Sequence, residues 1–274
     1  MGRAIKRHTL LARVIDTHCH LTFPDFEGRV EETLQRAQEH GVMGAITIST
    51  TTHNALEALA VAKRYPNVWC TAGVHPSYSA EGPFDWNMLG PVIRDERCVA
   101  WGELGLDNHY KDPPRSLQDS VLSEQLAYIE SVTKVGIVKP IVIHCREAFE
   151  DLLPVLKASR LDPSKMVFHC FTGTPLEARK VLDFGAWISF TGVVTYRNAA
   201  DVQEAARLVP IDRIMVETDA PFLSPDPHRS KRPCEPWMAS VTARKIAELR
   251  GLPWDAFHAA INGNTRRFFG IEAF

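Results

Sequence analysis

The sequence predicts an α/β protein, a (β/α)8 TIM barrel. Three observations carry this reading. Short apolar runs alternate with helical periods eight times along the chain. The 274 residues match the length of about 250 that such a barrel needs. Polar residues collect just after the apolar runs, and in a barrel all strand ends of that kind meet at one face. A doubly wound open sheet is the alternative, disfavoured because no glycine-rich phosphate loop follows the first strand.

Each element has its own local pattern. Arg13-Val14-Ile15 leads the first strand into Asp16-Thr17-His18-Cys19-His20. Alternation along a strand places His18 and His20 on one face, with the small Cys19 turned away. Residues 27–40 read as a helix, with Val30, Leu34 and Ala37 on one side and Gly41 as a stop. Residues 44–49 give a second strand, and 54–65 a helix ended by Pro66. Residues 68–72 form a third strand before Gly73-Val74-His75-Pro76, and 86–95 are helical in part. Residues 98–101 form a fourth strand, leading into Gly102-Glu103-Leu104-Gly105-Leu106-Asp107. The longest helix covers 117–135. Strands at 140–143, 166–168, 186–190 and 214–216 alternate with helices at 147–158, 175–184 and 199–208. The chain is helical from Glu235 on. No linker or composition shift divides it, so residues 14–274 read as one domain behind a short extension, 1–13.

Composition narrows the class. A formal net charge of -2 gives no global basic field for nucleic acid, although a local patch can serve. Six cysteines form no C-x-x-C pair, so the expectation is a reducing compartment without a disulfide framework. Residues 1–11 are basic but lack the apolar core of a signal peptide. No run approaches the roughly 18 apolar residues of a membrane span. A soluble cytoplasmic monomer is expected, with no membrane partner.

The chemistry lies just past the strand ends. Strand one supplies His18 and His20, strand four Glu103, strand five His144, strand six His169 and strand eight Asp219. A lone H-x-H is weak evidence, and a pair of ordinary loop histidines explains it as well. Six such residues at the strand ends of one barrel point to a metal site. Imidazole and carboxylate suit Zn, Mn, Fe or, with more oxygen, Mg. Six ligands exceed what one catalytic zinc takes and suit two ions about 3.5–4 Å apart, with Glu103 as the bridge.

These stretches resemble the TatD family of metal-dependent deoxyribonucleases. The resemblance runs from Asp16-Thr17-His18-Cys19-His20-Leu21 through Gly73-Val74-His75-Pro76 and the Glu103 motif. It continues in Ile143-His144-Cys145-Arg146-Glu147-Ala148, His169-Cys170-Phe171-Thr172-Gly173 and Glu217-Thr218-Asp219-Ala220-Pro221, and closes in Asn264-Thr265-Arg266-Arg267-Phe268-Phe269-Gly270. It implies an amidohydrolase-like metal barrel that hydrolyses phosphodiesters, often as a 3′-to-5′ exonuclease on single-stranded DNA or RNA. It further implies that His18, His20, Glu103 and Asp219 hold one ion and Glu103, His144 and His169 the other. The cofactors implied are two divalent ions (Mg, Mn or Zn). The chain departs from the family pattern at Cys145 and Glu147, where Ser or Asp is common, and at Cys234, where Asn is common.

Further residues each carry a functional and an ordinary reading. Asp16 and Glu217 stand on the ligand-bearing stretches and are placed to orient a ligand, or to form ordinary ion pairs. His75, Arg146, Arg229, Lys231 and Arg232 are the candidate substrate contacts, the last three in the basic loop His228-Arg229-Ser230-Lys231-Arg232-Pro233. Phe171 and Phe222 flank ligands and either stack on a base or lie buried. Asp219 and Glu103 are the candidate catalytic residues, with Asp219 accepting the proton of the attacking water. Two other functions fit the same residues: a metal hydrolase acting on an amide, ester or lactone, and an idle metal-binding module.

Overall fold

A computed structural model describes residues 14–272; the extension expected at 1–13 lies outside the described residues. Eight parallel strands stand in sequence order: β1 Val14–Cys19, β2 Val42–Thr47, β3 Val68–Ala72, β4 Cys98–Asp107, β5 Ile141–Arg146, β6 Met166–Phe168, β7 Trp187–Phe190 and β8 Ile214–Val216. Just beyond β8, Cys19 bridges to Ala220 and the His20 N–H donates to the Ala220 carbonyl at 2.8 Å. This brings the last strand back to the first and nearly closes the barrel.

Helices alternate with the strands: α1 Val30–Glu39, α2 Thr52–Arg64, α3 Leu89–Arg94, α4 Arg115–Lys134, α5 Phe149–Ala158, α6 Pro175–Phe184, α7 Ala200–Leu208, α8 Ala239–Leu249 and α9 Trp254–Phe269. None is long and apolar enough to cross a membrane among the described residues. Their starts are chemically specified. Thr51 accepts the Asn54 N–H ahead of α2, and Thr174 forms a reciprocal capping box with Glu177 ahead of α6. Gly185, at φ 99°, ends α6 in the left-handed conformation.

Each strand contributes at least one side chain to a plug inside the barrel: Ile15, Ile46, Trp69, Val99 with Ala100, Val142, Val167, Trp187 and Met215. Phe268 and Phe269 of α9 pack against the plug. Alternation then fixes what lies above it. His144 stands two residues past Val142, His169 two past Val167 and Glu217 two past Met215, so these polar groups share the inward face.

Three sequence expectations change. The fourth strand does not end at residue 101: β4 pairs with β5 as far as Asp107↔Arg146, so Glu103 lies inside a strand rather than in a turn. Gly102 and Gly105 allow the close approach of β5. Gly105 has φ 151° and a Cβ there would fall 1.9 Å from the His144 carbonyl oxygen; Gly102 has φ 110° and a Cβ would meet the Val142 oxygen at 2.5 Å. The first helix begins at Val30, because a 3-10 turn at Pro24–Phe26 and Gly28 at φ 69° precede it. The helical tail is two helices, broken around Gly251, at φ 62°, and Pro253.

Candidate metal centre

Glu103 is the hub. Its side chain is buried beneath the cavity at the C-terminal face. Oε1 lies 2.7 Å from His144 Nδ1 and 2.6 Å from His169 Nε2, while Oε2 lies 3.1 Å from His18 Nε2. The two oxygens thus face two different groups of imidazoles. On the Oε2 side, Asp219 Oδ1 stands 3.6 Å from His18 Nε2 and 3.4 Å from His20 Nε2. The His18 and His169 rings stack at 3.9 Å between the two groups.

All six sequence-expected ligands therefore converge. Whether they suit a cation can be judged from their unmet bonding. Both nitrogens of His18 and Nδ1 of His20 and His169 are buried with no aligned hydrogen-bond partner. Of these, His18 Nε2 faces Glu103 and Asp219; leaving such a nitrogen orphaned costs about 1–3 kcal/mol, which a bound cation would relieve. Three overlapping trios have donor atoms within 4.8 Å of one another: His18–Glu103–His169, His18–His20–Asp219 and His75–Glu103–His144. Nitrogen and carboxylate donors at this density fit divalent cations.

The electrostatics agree with a crowded, desolvated cluster. Burial pushes the Glu103 carboxyl up, but His169, His75, His18 and the bond to His144 hold it well below the usual carboxylate range. Burial likewise raises Asp219, and His20, His18 and His169 more than offset it. Burial and the neighbouring His169 lower His18. His75 is lowered to about 4, by burial first and then by His144, against the pull of Glu103.

The ring orientations come from behind. His144 Nε2 meets Asp107 Oδ2 at 3.0 Å, and His169 Nδ1 faces Glu217 Oε1 at 3.4 Å. Glu217 also accepts from the Thr17 hydroxyl at 3.2 Å and the Cys170 N–H at 2.5 Å, so it steadies His169, in line with its place on a ligand-bearing stretch. Asp16 acts differently: it accepts the Thr218 N–H and hydroxyl at 2.9 and 2.5 Å, and the His18 N–H at 3.3 Å. It thereby ties β1 to the segment carrying Asp219 without touching a ligand side chain. Asp219 itself sits at φ 60°, a conformation that Asp tolerates better than most residues.

Asp107 is a residue of this cluster that the sequence pattern leaves without a role. A signal for it exists: four residues past Glu103 on a strand, it shares that residue's face. The signal is hidden as long as the strand is taken to end at residue 101.

The cavity above the cluster measures about 750 Å³. Phe23, Tyr110, Phe222 and Arg146 are among its walls. Phe23 stacks on His20 at 4.6 Å, Phe222 is exposed beside it, and the Arg146 guanidinium lies over Tyr110 at 5.1 Å. His75 lines the cavity with Nε2 toward Glu103 and His144. Arg229, Lys231 and Arg232, expected on the substrate, are not among the lining residues. Arg229 lies over the Tyr196 ring at 3.7 Å, Lys231 over Trp237 at 5.0 Å, and Arg232 donates to the Arg229 and Lys231 carbonyls at 3.1 and 3.2 Å. Phe171 is buried against Phe149 and Phe190, which makes it core.

The chain is similar to known proteins. The family model described as TatD related DNase matches residues 15–270. An Escherichia coli K12 protein named uncharacterized metal-dependent hydrolase YcfH is 34% identical over 265 residues, covering 95% of this chain and 97% of its own. A Klebsiella pneumoniae protein named 3′-5′ ssDNA/RNA exonuclease TatD is 31% identical, covering 94% of this chain and 98% of its own. The crystal structure of YJJV, a TatD homologue from Escherichia coli K12, superposes with a TM-score of 0.88 at 30% identity, over 96% of this chain and 100% of the other. With the fold, the buried donor cluster and these likenesses in agreement, the chain belongs to the TatD-related DNase family and is a metal-dependent hydrolase.

Proposed function

We propose that the protein is a two-metal phosphodiesterase that removes nucleotides from the 3′ end of single-stranded DNA, and of RNA as well. The observation that carries this is the division of Glu103: one oxygen faces His144 and His169, the other faces His18, with Asp219 and His20 beyond. His18, His20, Glu103 and Asp219 would hold one ion, and Glu103, His144 and His169 the other. When bound, two divalent cations (Mg, Mn or Zn) supply Lewis acidity at phosphoryl oxygens and lower the pKa of an attacking water. Asp219, at the cavity floor with its carboxyl kept ionised by His20, His18 and His169, accepts that water's proton. Arg146 meets the phosphate backbone, and Phe23, Phe222 and Tyr110 offer faces for unpaired bases.

The names of similar proteins support the nucleic-acid reading, two of them being called 3′-5′ ssDNA/RNA exonuclease. The cysteines of the described residues are all free, which supports a reducing, cytoplasmic setting. The test is an end-labelled single strand incubated with Mg²⁺, with Mn²⁺ and with EDTA, beside Glu103→Ala. Stepwise 3′ shortening that EDTA and the substitution both abolish is expected. Cleavage of a carboxylic ester or lactone, with none of nucleic acid, would replace this function with a carbon-centred hydrolase.

A further inference from the structure

The cluster contains one histidine whose ring is set the opposite way from its neighbours. We infer that His75 is a hydrogen-bond donor of fixed tautomer, aimed at a phosphoryl oxygen of the substrate, and not a further metal ligand. The nature of the acceptor rests on the phosphodiesterase reading; the tautomer does not.

The turn after β3 sets the ring. His75 precedes the 3-10 turn Pro76–Glu81, and its Nδ1 accepts the Ser77 N–H at 3.0 Å. A backbone N–H can only donate, so Nδ1 carries a lone pair there. A neutral imidazole has one N–H, which must then be on Nε2. That nitrogen points into the cluster, 3.1 Å from His144 Nδ1 and 3.3 Å from Glu103 Oε1. Glu103 Oε1 is an acceptor, so the N–H has a partner within the cluster.

His144 and His169 are held the other way. A carboxylate stands behind each ring, Asp107 at His144 Nε2 and Glu217 at His169 Nδ1. A carboxylate accepts, so each outer nitrogen carries a proton, and the inner nitrogen, which meets Glu103 Oε1 at 2.7 or 2.6 Å, is the one that can offer its lone pair to a cation in place of that contact. Ligation by His75 would need the same arrangement. It would put a proton on Nδ1, head-on against the Ser77 N–H at 3.0 Å. Proximity to Glu103 and His144 therefore marks His75 as part of the centre without making it a ligand.

The acceptor that His75 now faces, Glu103 Oε1, belongs to the proposed ligand set. An acceptor committed to a cation offers little to an N–H, and His75 also lines the cavity. The next oxygen within its reach is one on the bound substrate. A neutral imidazole gives up its remaining proton only under strongly basic conditions. His75 therefore donates and keeps its proton, stabilising charge that develops on a phosphoryl oxygen. Removing one preorganised donor of this kind costs about 10²–10³-fold in kcat.

The test uses the zinc-loaded protein labelled with ¹⁵N in histidine. Long-range ¹H–¹⁵N spectra read the tautomer of each ring, and the signals lost in His75→Gln identify His75. Protonated Nε2 with bare Nδ1 is expected, together with the same metal content per chain in wild type and His75→Gln. On a labelled single strand, His75→Ala should lose about 10²–10³-fold in kcat with a smaller change in KM. His75→Gln, whose amide N–H reaches in the same direction, should recover part of the loss. Protonated Nδ1, one ion fewer per chain in His75→Gln, or unchanged turnover in His75→Ala would each overturn the inference. A wild type inert on nucleic acid while both the tautomer and the metal content hold would count against the proposed function alone.

Discussion

At the scale of single residues, the centre is defined as much by what stands behind the imidazoles as by what they face. Asp107 stands at His144 Nε2 and Glu217 faces His169 Nδ1, so each carboxylate orients the ring in front of it. Asp107 is itself fixed: its N–H donates to Gln118 Oε1 at 2.9 Å and its carbonyl accepts from Gln118 Nε2 at 3.0 Å. Asp107→Asn keeps the size and loses the charge. It should lower metal affinity by about 10–100-fold, measured by competition with a chromophoric chelator; an unchanged affinity would show that Asp107 does not orient a ligand. Asp219 shows the same dependence on its surroundings. A non-glycine residue at φ 60° costs on the order of 1–3 kcal/mol. The Asp16–Thr218 bonds and the Asp219 N–H to the His18 carbonyl at 2.9 Å hold it there.

At the scale of elements, the strands act as rulers. Where a strand is short and apolar its last polar residue is legible in the sequence, because alternation fixes which side chains share a face. That is why His144, His169 and Glu217 fall where the pattern puts them. β4 reads short because Gly102, Glu103 and Gly105 look like a turn in isolation. Only the close approach of β5, seen in the Cβ positions, shows why glycine belongs within a strand. The surroundings of the basic loop are not legible in the sequence for a related reason. A run of Arg and Lys near a site suggests phosphate contacts, yet Arg229 and Lys231 find aromatic partners, Tyr196 and Trp237, that lie apart from them in sequence. The junction from α3 to β4 carries a prediction of its own. Asp95 binds Lys63 at 2.7 Å and accepts the Arg97 N–H at 3.0 Å. Burial raises its carboxyl, but these partners hold it below its ordinary value. A depressed folded value means the stabilisation is complete above the unfolded pKa, about 3.9, and fades as pH falls through the folded one. Asp95→Asn should therefore lower Tm at pH 7, and the gap from wild type should close in acid. A gap that persists at low pH would show that the ion pair is not its source.

At the scale of the whole molecule, the barrel gathers the donor cluster at one face, and the charge bears on the proposed substrate. The chain carries a net charge of -2, and among the described residues lining the cavity Arg146 is the only lysine or arginine. Such a surface has little hold on a duplex, whose binding is dominated by many phosphate contacts. The proposed single-strand end would be held by a few contacts and by stacking on Phe23, Phe222 and Tyr110. The central claim is that two ions together make this site active on such an end. The most direct measurement titrates metal-free protein with Mn²⁺ while following 3′ shortening of a labelled single strand. Activity that rises to a plateau at two ions per chain, and that Glu103→Ala never reaches, is what the arrangement around Glu103 predicts. A plateau at one ion, or a loaded and folded protein that leaves the strand intact, would contradict it.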